Sequence, residues 1–198
     1  MIAPIRELEQ ALSKLPGFGR RSASRAALAL VRESARLADP LAAALAAARE
    51  SVVCCSRCGA FTLINENPCV ICVDEMRVTS SVCVVEDPSD ILSIESSGAF
   101  RGRYHALGGK MSAHKNVNLV KQRIAQLIDR VAMEDFKEVL LALSTDMEGD
   151  ATAGYIVEML RHSGVKITRL AFGLPADSGV AYSDPLTLKR AIVNRIAQ

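Results

Sequence analysis

The sequence predicts an α/β multidomain chain: N-terminal helices, a cysteine-dense segment, a mostly parallel sheet flanked by helices, and a C-terminal tail helix. Three observations predict it. Apolar residues recur at helical spacing from Ile5 through Ser51, two Cys-x2-Cys pairs follow, and from Val82 onward short aliphatic runs alternate with amphipathic segments. Aliphatic runs separated by helical patterns are the signature of a parallel sheet.

The 198 residues are 49% hydrophobic and 23% charged, the balance of an ordinary globular protein. With no Trp, 3 Tyr and 5 Phe, the cores must be built from Leu, Val, Ile and Ala. The expected division is 1–53 for a helical DNA-binding domain, 54–78 for a metal-binding finger, 79–173 for the sheet domain and 174–198 for a C-terminal strand and helix.

In the first domain Ile5, Leu8, Leu12 and Leu15 mark a helix ended by Pro16-Gly17. A second helix is expected from about Arg20 to Leu37, and an Ala-rich third from Asp39 to Ser51. Cys54–Asp74 reads as loop. "SVCVV" is a buried strand, Pro88–Ser96 a short helix, "YHALGG" a strand and Leu119–Val131 a helix. Glu138–Ser144 is the clearest buried strand; Thr152–His162 is a helix, "KITRLAFGLP" a strand and Leu186–Ile196 a terminal helix.

The net charge of +2 conceals segregation. Lys14, Arg20, Arg21, Arg25, Arg32 and Arg36 face a single acid, Glu33; Arg101–Arg123 holds basic residues and no acid; Glu134–Glu158 holds seven acids and one Lys. Separate basic and acidic surfaces suit a polyanionic partner. The start "MIAPIRELEQ" reaches charge too soon for a signal peptide, and no apolar run approaches the roughly 18 residues of a membrane span. The expectation is a cytoplasmic, nucleoid-associated protein without a membrane partner, in which six cysteines do not form three disulfides.

"LPGFGRRSASRAA" (Leu15–Ala27) joins two helices through Gly17-Phe18-Gly19. Glycines tolerate positive φ and leave backbone amides open, and a helix N-terminus adds a partial positive charge. Arg21 and Arg25 share a helix face, Arg32 lies near it, and Ala23, Ala26, Ala27 and Leu30 point to the other side. Gly17, Gly19, Arg20, Arg21 and Arg25 are therefore the expected phosphate cradle, blind to base sequence. The competing reading is a plain helix–turn–helix connection with a solvated basic face.

Cys55-x2-Cys58 and Cys69-x2-Cys72 have the spacing of two knuckles that converge on one tetrahedral zinc ion, with Gly59 and Pro68 supplying tight backbone. Four sulfurs leave no open position for water, so one structural Zn²⁺ per chain is expected. Cys54 competes with Cys55 as a ligand, but the two-residue spacing favours Cys55. Cys83, inside a strand, reads as a small core residue.

Glu86 follows the first sheet strand, and Asp146, Glu148 and Asp150 follow the "VLLAL" strand, in the turn entering the next helix. Acids at the carboxyl ends of parallel strands can hold Mg²⁺ with substrate phosphates. The alternative is a solvated acidic loop.

This arrangement resembles the Toprim domain of topoisomerases, primases and some nucleases: a Glu after one strand and an acid-x-acid-Gly-acid run after a later one. Ser144 stands where catalytic members carry the first Asp of their pair. Metal-dependent catalysis is thus the secondary expectation. The opening stretch resembles the helix-hairpin-helix of DNA repair proteins. The order of helix-hairpin-helix, four-Cys knuckle, Toprim sheet and tail resembles the RecR family of bacterial recombination mediators, through "LPGFGRRSASR", "CSRC…CVIC", "CVVEDPSDILSIESSGAFRGRYHALGG", "EGDATAGYI" and "GLPADSGVAYSDPLTLKRAI".

The resemblance implies a non-catalytic DNA-binding protein of gap repair that forms a dimer or ring-shaped tetramer around duplex DNA. It implies work with RecO, and with RecF in many members, to load RecA on gapped or single-stranded DNA. It places Arg21 and Arg25 against DNA, zinc on the four cysteines, and the partner protein against the Toprim acids, Glu148 especially. The alternative function is a Mg²⁺-dependent Toprim nuclease or strand-transferase. Three stretches depart from the family pattern: the basic "AHKNVN" after "LGGKMS", Phe172 in "AFGLP", and "PADSGVAYSDP" without its paired glycines.

Overall fold

The computed structural model describes residues 2–112, 117–171, 180 and 183–193, excluding the side chains of residues 186 and 190. Phe172, most of "PADSGVAYSDP" and the first four residues of "AHKNVN" lie outside the described residues, as does Ile196, the expected end of the last helix. The chain clusters into two compact units, Met1–Val52 and Val53–Gln198.

The first unit is helical. Helix α1 (Ala3–Leu12) carries Pro at its start, where a missing N–H costs nothing, and packs on α2 (Arg20–Arg32). Ala23 and Ala27 are fully buried on α2, so their small side chains allow close approach; Ala26 and Leu30 are half-buried. The expected single helix from Arg20 to Leu37 is corrected. It breaks at Glu33 (φ −120°, ψ 50°) and resumes as a π-helical turn, Ser34–Ala38, before α3 (Asp39–Ser51). Without a buried residue from Val31 to Arg36, no packing enforces α-helical geometry there.

The second unit begins with a two-stranded ladder of β1 (Val52–Cys54) and β2 (Phe61–Leu63), followed by the single turn α4 (Val70–Val73). The cysteine-dense segment is therefore more ordered than the loop expected for it. The main sheet has four parallel strands in the order β4-β3-β5-β6: β3 (Ser81–Val85), β4 (Arg103–Ala106), β5 (Glu138–Ala142) and β6 (Lys166–Arg169). Strand β3 pairs Val82 with Arg103 on one side and with Val139 on the other.

Alternation along β3 sorts the core into two layers. Val82 and Val84 join Val139 and Leu141 against α6 (Val117–Met133) and α7 (Met147–Met159), through Val120, Ile124, Leu127, Val131, Ala153 and Ile156. Cys83 and Val85 join Tyr104 and Ala106 against α5 (Pro88–Ser97) and the four knuckle cysteines. Cys83 is thus the small core residue its position suggested. Helix α5 starts with a reciprocal capping box between Asp87 and Asp90 and stops at Gly98 in the left-handed region.

Helix α7 begins at Met147, five residues before the expected start, because the Asp146 side chain accepts the Gly149 N–H and caps it. Strand β6 stops at Arg169, short of the expected "AFGLP". The last helix, α8, spans Pro185–Val193. No helix among the described residues is long and apolar enough to cross a membrane.

Candidate metal centre and nucleic-acid interface

The sulfurs of Cys55, Cys58, Cys69 and Cys72 all lie within 4.8 Å of one another and are buried. Among the described residues they are the only group of three or more His, Cys, Asp or Glu side chains that could share an ion. Cys54 is exposed and outside the cluster, so Cys55, which the two-residue spacing favours, is the cysteine that joins it. Gly59 turns the first knuckle at φ +82°, where a side chain is strained, and its N–H donates to the Cys55 carbonyl at 2.9 Å. Backbone amides aim at the sulfurs: Cys69 N–H donates to Cys55 Sγ at 3.3 Å and Ala60 N–H to Cys58 Sγ at 3.4 Å. Such donors favour thiolates over thiols.

The donor set therefore fits a metal ion: four soft sulfurs, convergent, dry, and supported by N–H groups. The sulfurs of Cys58 and Cys69 lie 3.5 Å apart, and the hydrogen bond between them lowers the pKa of Cys69 and raises that of Cys58.

The knuckle also closes the sheet. The Ala106 N–H of edge strand β4 donates to the Cys58 carbonyl at 2.7 Å, covering backbone that would otherwise be unpaired. Buried Arg103 donates to the carbonyls of Ile71 and Cys72 at 2.6 and 2.9 Å. Arg57, on the first knuckle, pairs with Glu134 at the end of α6 (2.9 Å), and Glu134 also holds Arg130 (2.9 Å). Burial lowers the pKa of Arg123 on α6, against the opposing pull of the Cys58 sulfur.

Sequence reasoning missed His105, although β4 buries it completely. Its Nε2 lies 2.8 Å from the Arg123 carbonyl and its Nδ1 3.2 Å from the Arg130 guanidinium. A carbonyl only accepts and a guanidinium only donates, so the ring is neutral with its hydrogen on Nε2. Burial, then the charges of Arg123 and Arg130, push its pKa down to about 3.

The acids at the strand ends do not surround an empty space. The Ser144 N–H donates to Glu86 Oε1 at 2.6 Å. Lys110, two residues after Leu-Gly108, puts its Nζ 2.5 Å from Asp146, 3.2 Å from Ser144 Oγ and 3.8 Å from Glu86. That lysine, not singled out as a site residue, is what the strand ends hold between Glu86 and Asp146; it pulls the Asp146 carboxyl down to about 2. Asp150 pairs with Arg169 at 2.7 Å. Glu148, in the exposed first turn of α7, has no ion pair among the described residues. The structure thus brings Glu86 and Asp146 together through Lys110 and leaves Glu148 facing solvent.

In the helical unit, Gly17 adopts φ +80° while Gly19 caps α2 in extended backbone (φ −78°, ψ 170°). Only Gly17 uses the left-handed freedom expected of both. At Gly19 a Cβ would meet nothing within 4 Å, so the space around this residue is open. No side chain caps α2, and its first turn contains no acid. Arg20, Arg21 and Arg25 are exposed, and none has an ion pair among the described residues. Arg20 lines a groove with Arg6 and Gln10 of α1, away from the face shared by Arg21 and Arg25.

A helix pair around a glycine bend, a four-thiol knuckle, and a parallel sheet with acids at its carboxyl ends define a Toprim protein with an N-terminal helix-hairpin-helix. A model of the Toprim domain matches residues 80–171, and a model described as RecR, helix-hairpin-helix matches residues 5–49. A Recombination protein RecR of Desulfatibacillum aliphaticivorans is 45% identical over 184 residues, covering 93% of this chain and 92% of the relative. One from Methylobacterium radiotolerans is 43% identical over 193 residues, covering 98% and 95%. One from Herpetosiphon aurantiacus is 39% identical over 192 residues, covering 97% and 93%. The chain belongs to the RecR family.

Proposed function

We propose that this protein is a recombination mediator that grips DNA by its phosphates and makes or breaks no bond itself. The observation that carries the reading is the unpaired set Arg20, Arg21 and Arg25 at an uncapped helix N-terminus behind Gly17 and Gly19. Open amides and guanidinium groups attract phosphate, whatever the base sequence. The absence of catalysis is supported by Lys110, whose ammonium occupies the approach between Glu86 and Asp146 that a divalent cation would need.

The four thiolates of Cys55, Cys58, Cys69 and Cys72 would hold one structural zinc ion, which supplies cross-linking of the knuckle and no reacting water. In keeping with the family, the protein would assemble as a dimer or ring-like tetramer on gapped, single-stranded or duplex DNA in the cytoplasm. It would cooperate with RecO, and with RecF where present, to load RecA. The exposed Glu148, beside Asp146 and Asp150, supports a basic partner surface docking there.

Fluorescence anisotropy on labelled gapped DNA at several salt concentrations tests the reading. Affinity should fall steeply with salt, and Arg21→Ala with Arg25→Ala should flatten the log–log slope by about 1.8, at roughly 0.9 per lost duplex phosphate contact. Unchanged affinity and slope in the double variant would refute the cradle. Mg²⁺-dependent cleavage abolished by Glu148→Gln would replace this reading with a nuclease.

A further inference from the structure

Arg103 and Arg123 pose a charge problem. Arg103 is 7% exposed and spends its Nη1 on two carbonyls; among the described residues no carboxylate pairs with it. Arg123 donates from Nε to the Ala106 carbonyl (2.8 Å) and from Nη1 to Gln126 (2.6 Å), while its buried Nη2 has no partner. It too lacks a carboxylate among the described residues. Burying a cation without a counter-charge is strongly unfavourable, so an anion should be at hand.

Geometry identifies it. Arg103 holds the carbonyl of Cys72, a knuckle cysteine. Arg123 Nη2 lies 2.7 Å from where a Cβ on Gly59 would sit, directly after Cys58, and Arg123 shares a small cavity with Cys55 and Gly59. Arg57 also reaches the Cys72 carbonyl, at 3.4 Å, but its side chain is 40% exposed to water and pairs with Glu134, which it shares with Arg130. Four thiolates around a divalent ion leave a net charge of about −2, by the chemistry of such centres. Arg103 and Arg123, buried beside it and without a carboxylate of their own among the described residues, supply charge of the opposite sign.

We infer that Arg103 and Arg123 are the built-in counter-charges of the metal–thiolate centre, positioning residues that strengthen metal retention and tie the centre to the sheet and to α6. The inference rests on the zinc reading above. Outer partners of metal ligands typically change metal affinity 10–100-fold when removed. Glycine at position 59 leaves room for the guanidinium, since any side chain there would collide with it.

The test is zinc competition against a chromophoric chelator, using the full chain purified with zinc. Arg123→Met, which keeps the apolar stem, should weaken apparent zinc affinity 10–100-fold. Arg123→Lys, which restores the charge without the planar fork, should recover most of that loss. A purely packing role predicts equal losses in both variants, and that result, or wild-type affinity in Arg123→Met, would overturn the inference. If Arg123→Met does not fold, Arg103→Met and Arg103→Lys provide the same comparison, with the same two outcomes. A wild-type protein that binds no zinc would instead sink the zinc reading, which keeps the two failures distinct.

Discussion

Protonation of His105 provides a quantitative handle on the sheet. In the fold the ring is buried and neutral, donating to the Arg123 carbonyl and accepting from Arg130, with its pKa down at about 3. In the unfolded chain it returns to its ordinary value near 6.5. Below that pH the unfolded state binds a proton that the folded state refuses, so stability falls with falling pH and the loss ends only near pH 3. Above about pH 7.5 the residue contributes no slope. At about 1.4 kcal/mol per pH unit, the residue's share of the loss is roughly 2 kcal/mol at pH 5 and about 4–5 kcal/mol at its limit.

Urea unfolding with saturating zinc at pH 8 and pH 5, for wild type and His105→Gln, isolates this term. Glutamine offers a donor and an acceptor but cannot titrate in this range. The variant will be less stable at pH 8, because its amide cannot reproduce the ring's span. The relevant quantity is the difference between the two pH slopes, about 2 kcal/mol between pH 8 and pH 5. Equal slopes would refute the buried neutral imidazole.

Other perturbations act on the same unit. Gly149→Ala puts a Cβ 2.3 Å from the Ser144 carbonyl oxygen, in the segment whose N–H binds Glu86; about 3–5 kcal/mol of stability should be lost in urea unfolding, from overpacking and a strained charged hydrogen bond. A loss under about 0.5 kcal/mol would show that the turn relaxes freely. Cys58→Ser should lower both metal content and thermal stability, since a structural site couples binding to folding; metal-free protein of normal stability would contradict this. In Lys110→Met, the Asp146 carboxyl should rise from about 2 toward its ordinary 3.8, read by carbon NMR titration; an unchanged value would assign the shift to the Gly149 N–H alone.

Much of this was legible along the chain because the signals are local. The cysteine spacing picked out the four sulfurs that converge, the aliphatic run "SVCVV" the central strand, and the Ala23–Ala27 pair the buried face of α2. What escaped notice depends on long-range geometry. Lys110 meets Asp146 across 36 positions, and Arg103 reaches Ile71 across 32, with no spacing rule to announce either. Asp146 was visible as an acid but not as a cap, so α7 was expected to start too late. At Glu33 the helical pattern ran on while the helix stopped, because no buried partner held the next residues in register.

Lys110 has a consequence for the conditions under which the protein works. A cation borne on a side chain cannot be diluted, sequestered by nucleotides or displaced by a competing ion, as a bound divalent ion can. The ion pairs that Lys110 makes with Asp146 and Glu86 therefore draw on no dissolved ion, and the charge they offset at this end of the sheet does not depend on one being present.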